Sequence, residues 1–227
     1  MSALSDLTFE AWLDHAFGQE VRFQRPPWYF DPDAPYWDPQ ADTAIGYLTR
    51  LFQTPSTLTE QFSDDQIAQG LTYLLNTGAV GDNGWFYSRE VPTSARKACI
   101  AATFNLFSEI FQPRCAPVLG HLAKVQTTAL NTVAYMFWDV FPCVALPQDP
   151  DRDELQLETL AVMERILSLP SVACVESALH GLGHAHASYP DRSSRSSIAI
   201  WRGGGPRLRK SWPMPRPPAA VVFYNSR

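Results

Sequence analysis

The 227-residue chain contains no C-x-x-C pair, no apolar run near membrane-spanning length, and no acidic side chain after Asp191. Each absence excludes something. Without about 18 to 20 consecutive apolar residues there is no transmembrane helix to expect. Met1 to Glu10 lacks the basic and apolar regions of a secretory signal, so a cytosolic protein is expected. Cys99, Cys115, Cys143 and Cys174 stand far apart and read as buried thiols rather than disulfides. Neither H-E-x-x-H nor G-x-S-x-G occurs, and Gly78-x-x-Gly81-x-x-Gly84 lacks the Lys-Ser/Thr of a phosphate loop.

The missing acids divide the chain. Residues 1–191 hold 23 acidic against 10 basic side chains, a net −13, whereas residues 192–227 hold 8 basic ones and none acidic. A basic tail of this kind reads as a nucleic-acid arm, as a disordered terminus, or as a frame-shift product. The third reading has a specific motive. Ser193 to Trp201 can be encoded so that one added G in front yields Val-Glu-Gln-Ile-Ile-Asp-Arg-Tyr-Leu, an amphipathic helix start just after Pro190-Asp191-Arg192. The coding DNA decides it: early stops in the alternative frame would remove the idea. On that reading the last helix pair is incomplete, and dimerisation through it is expected.

What is present is helical periodicity broken by Pro, Gly and Ser. Helices are expected over Thr8–Phe17, from Asp38 to before Pro55, from the Ser63 capping box to Leu75, from Pro92 to about Gln112, over about Thr127–Val140, from Asp149-Pro150 to Leu167, and from Ser171 to about His186. Residues 18–40, rich in Pro and aromatics, read as irregular with their rings laid over the body. Helix pairs opening near Asp38, Pro92 and Asp149 give an all-α fold over 1–191. They stack as an irregular HEAT/armadillo-like repeat, with a compact irregular bundle as the alternative.

Three constellations could carry chemistry. Glu176, His180 and His184 fall on one helix face at ligand spacing for a divalent metal such as zinc, with His186 close behind. The bland reading is a tightly packed helix whose glycines permit close approach. Asp139, beside Trp138 in an aromatic run, is either a desolvated acid or a side chain bonded to nearby backbone. Asp82, Asn83 and Trp85 form a loop that could present an aromatic anchor to a partner, or merely shape a turn.

Three stretches, Tyr47–Phe52, Phe62–Gly70 and Glu176–His184, carry a resemblance. Through them the chain resembles, over about Thr43 to Asp191, a family of uncharacterised bacterial all-helical, HEAT/armadillo-like proteins. The resemblance implies no chemistry. Through the toxin loci where such proteins occur, it implies an immunity or binding role. The expected function is therefore a non-catalytic binding protein without a cofactor. Its partner-binding residues are Asp82, Asn83, Trp85, Trp138 and Asp139, and its partner is a basic protein such as a toxin domain; nucleic acid and membrane are disfavoured. The alternative is a metal-dependent hydrolase that uses Glu176, His180 and His184, with His186 or Asp139 assisting a bound water.

Overall fold

In the computed structural model, residues 3–22, 26–75, 84–120, 127–141, 149–186 and 188–193 are described. Helix α1 (Phe9–Phe17) begins where Thr8 Oγ1 accepts the Ala11 N–H, and it buries Phe9, Trp12, Leu13, Ala16 and Phe17. The proline-rich stretch after it is irregular, as its composition requires, except at two short elements. Trp28–Phe30 forms a 3-10 turn, and β2 (Tyr36–Trp37) pairs in parallel with β1 (Ala3–Leu4). Trp28 and Trp37 face the core, while Phe30 is 56% exposed.

Asp38 does not open the next helix. Its N–H extends the short ladder by donating to Leu4 O, so α2 (Ala41–Gln53) starts after Gln40. The chain turns helical again at α3 (Ser56–Gln61), directly beyond Pro55, where periodicity gave no signal. Ser63 and Gln66 close the expected capping box in both directions, and α4 (Asp64–Leu75) follows. Helix α5 (Thr93–Leu106) runs on through a π turn at Phe107–Phe111 into a last turn at Gln112–Arg114. Pro113 has no N–H for the α ladder, and its ring crowds the carbonyl four residues back. The wider turn ahead of it relieves both.

Thr128 and Asn131 cap α6 (Ala129–Val140) reciprocally. Helix α7 (Arg152–Ile166) follows, and Ser171 caps α8 (Val172–Ala185). A short helical turn, 190–193, is tied to α7 by Tyr189 Oη to Asp153 at 2.7 Å and by a forked Arg192–Glu164 pair at 2.9 and 3.0 Å. Helices α2, α5 and α7 pack in succession, as do α4, α6 and α8, while α1 packs on α4. The fold is all-α, and these contacts set six of its helices in two rows. The π turn lies between them against α3, α6 and α8. Met136 and Leu157 fit the apolar spacing of their helices, yet they are 40% and 42% exposed. Among the described residues no helix is long and apolar enough to cross a membrane.

A buried polar knot joins α1 to α4. The Trp37 N–H donates to Tyr73 Oη at 3.3 Å, and with a neutral His15 the Tyr73 hydroxyl donates in turn to His15 Nε2 at 3.0 Å. That arrangement needs a neutral His15. Burial lowers its pKa below 6.5, Asp14 opposes this more weakly, and burial pushes Tyr73 up to about 12. Because the folded chain binds the His15 proton less readily than the unfolded chain, this contribution is whole above about pH 6.5. It is lost as pH falls below that value. Urea midpoints should therefore drop between pH 7.5 and 5.5 less steeply in His15→Gln than in the parent. Identical slopes would contradict this.

Candidate functional site

The closest approach of two helices in the second row is made by small side chains. Ser177 Oγ donates to the Ala134 carbonyl. A Cβ on Gly181 would stand 2.7 Å from Trp138 Cγ and 2.6 Å from Met163 Cε, so only glycine fits there. Residues 134 and 138 of α6 thus meet 177 and 181 of α8 in the same order. The two helices run in the same direction, and both end at one corner of the molecule.

At that corner three side chains converge. Asp139 Oδ2 lies 3.0 Å from His180 Nε2, Asp139 Oδ1 lies 2.6 Å from His184 Nε2, and the two Nε2 atoms are 2.9 Å apart. Tyr135 meets the His180 ring edge-on, with centroids 4.4 Å apart, and fixes its plane. Burial, with the negative charges of Glu176 and Asp139 beside it, raises the Tyr135 pKa, so the phenol stays neutral. The Asp139 and His180 side chains are 23% and 22% exposed, while that of His184 is 52% exposed.

Electrostatics make this corner a place for a cation. Asp139 stands one residue from the C-terminal end of α6, where the helix macrodipole is negative and a carboxylate is unfavourable. The C-terminal end of α8 points the same way. The fold thus concentrates negative potential on a carboxylate and two imidazoles, a donor set suited to a first-row divalent ion.

Only part of this was visible in the sequence. His180 and His184 do share a helix face, but Glu176 and His186 are not in the group that closes up. Glu176 is buried, and its Oε2 accepts the Gly120 N–H at 2.6 Å, which pins the loop running from Cys115 against α8. Asn131 holds the same loop through Ala116, with its Oδ1 accepting and its Nδ2 donating, each at 3.0 Å. The third donor is Asp139, which the sequence placed among partner-binding residues. Its partners are imidazoles on a neighbouring helix rather than nearby backbone.

The other partner-binding candidates lie elsewhere. Trp138 is buried and stacks on Phe107 at 5.7 Å with an interplanar angle of 9°. Trp85 is buried edge-on against Trp37 at 5.3 Å. Neither indole offers a face to a partner. Asp82 and Asn83 fall outside the described residues, as does Cys143. Cys99, Cys115 and Cys174 are buried free thiols. Burial pushes Cys99 up to about 12 and Cys174 up to about 11, so neither supplies a thiolate nucleophile. No protein-family model, curated protein or solved structure matches this chain.

Proposed function

We propose that the protein works through a divalent first-row transition-metal ion, zinc or a close relative, held by Asp139, His180 and His184. The observation that carries this reading is the convergence of one carboxylate and two imidazoles: Asp139 Oδ2 lies 3.0 Å from His180 Nε2, Asp139 Oδ1 lies 2.6 Å from His184 Nε2, and the two Nε2 atoms are 2.9 Å apart. The reaction class belonging to such a centre is hydrolysis by a metal-bound water. This is the metal-dependent reading of the sequence with its ligand set redrawn.

The experiment is ion titration of chelator-treated, tag-free protein, followed by calorimetry with Zn2+ and Co2+. One ion per chain is expected. Asp139→Asn, His180→Ala and His184→Ala should each weaken binding at least a hundredfold. Glu176→Gln should keep it, because the Gly120 N–H can still be accepted by an amide oxygen. Absence of stoichiometric binding, or loss in Glu176→Gln with none in Asp139→Asn, would sink the proposal.

A second reading is supported by a separate observation, the net −13 of residues 1–191. A strongly acidic body speeds encounter with a basic protein partner, and on this reading the chain is a non-catalytic cytosolic binding protein of the immunity type. Rescue from, or co-purification with, a basic toxin domain encoded beside it tests that reading. Failure with every neighbouring product would count against it.

A further inference from the structure

We infer that the Asp139–His180–His184 centre is open rather than closed, and that on its free side the ion takes a small anionic ligand approaching past Gly183. This inference rests on the metal reading above and adds the class of ligand and the residue that controls its entry.

Three observations support it. Among the described residues three protein donors are grouped, and a first-row divalent ion takes four to six ligands, so one to three positions are left for something else. The walls of the site are unequal. On one side Tyr135 packs against His180, and Gly120 lies beyond it, where its Cβ would be 3.7 Å from Tyr135 Cβ and 3.4 Å from Glu176 Oε2. On the other side the His184 side chain is half exposed, and among the described residues a Cβ on Gly183 would have no neighbour within 4 Å. Residues 180, 183 and 184 form one patch of the α8 surface, so the open ground at Gly183 adjoins both imidazoles.

Charge selects the ligand class. Asp139 cancels one of the ion's two charges and the imidazoles cancel none, so an anion is favoured over a neutral ligand on the free positions. Size follows from place. At the exposed rim there is room for a carboxylate or an inorganic anion beside the helix, and the missing side chain at position 183 clears the approach.

The test uses Co2+-loaded full-length protein and follows its visible absorption during titration with azide and with acetate. A saturable spectral change is expected with both anions. Gly183→Leu should bind Co2+ as the parent does while losing at least tenfold in azide affinity. Its Cβ has space, and leucine favours the helix, so the variant folds. Co2+ binding without any response to either anion would overturn the open centre and leave the metal reading standing. An azide affinity unchanged in Gly183→Leu would overturn the role of Gly183. No Co2+ binding at all would overturn both the reading and this inference.

Discussion

Gly181→Val should cost about 3 kcal/mol of folding stability, the upper part of the range for overpacking a filled interior. The reason is local and asymmetric. Of the two side chains that a Cβ would strike, Met163 is flexible and its Cε can swing aside. The Trp138 indole cannot, because it is buried and stacked on Phe107. Helices α6 and α8 must then separate, and since Asp139 follows Trp138, its carboxylate moves away from the two imidazoles. Gly183→Ala is the control two residues away. With no atom near its Cβ, it should gain about 0.5 to 1 kcal/mol from helix propensity alone. Urea midpoints of the two variants should move in opposite directions. A loss below about 1 kcal/mol at position 181 would mean that the two helices are less tightly packed than described.

Arg96→Met should be at least as damaging, by about 3 to 5 kcal/mol, as expected when one partner of a buried ion pair is removed. Arg96 is buried on α5 and donates to Asp149 Oδ2 at 3.0 Å, to the Phe86 carbonyl at 3.0 Å and to Asp151. It thereby ties the residues leading into α7 and the 84–87 turn to α5. Without it, Asp149 is left as an uncompensated carboxylate with a side chain 8% exposed. Lys97–Glu154 links the same two helices at 3.3 Å, but with side chains 35% and 63% exposed. Lys97→Met should therefore change stability by no more than about 1 kcal/mol. Denaturant unfolding of both variants, with Arg96→Met/Asp149→Asn to neutralise the stranded charge, checks the argument. Equal effects at 96 and 97 would refute it.

These cases show what a single sequence carries. Helix starts were readable wherever the signal is covalently local. The Ser63–Gln66 box and Ser171 cap the helices they were expected to cap, and Thr8 caps the helix that was expected to begin with it. Periodicity located most buried faces, because burial on one side of a helix repeats every three or four residues. Asp38 misled because an Asp-Pro pair signals a helix start, and nothing nearby shows that its N–H is claimed by Leu4 from the first residues of the chain. The π turn was hidden, since it answers a crowding problem at Pro113 rather than a pattern.

The site was half legible for the same reason. His180 and His184 share a helix and can be paired by counting. Glu176 has equally good spacing, yet its carboxylate is spent on the Gly120 N–H, a tertiary bond that counting cannot foresee. The available clue was the pair of small residues at 177 and 181, which signals a closely approaching helix and hence a donor from outside α8. Identifying that helix as α6 required the fold.

The separation of the donors along the chain has a consequence for the molecule as a whole. Asp139 and His180 are 41 residues apart. An ion bound to both would cross-link the chain as a disulfide does, closing a loop of that length in any unfolded form that kept its grip. On the chain-entropy account, a permanent clip of this span is worth ~4 kcal/mol. Chelation would then lower the stability of both helix rows together, far beyond the exposed corner where the ion sits.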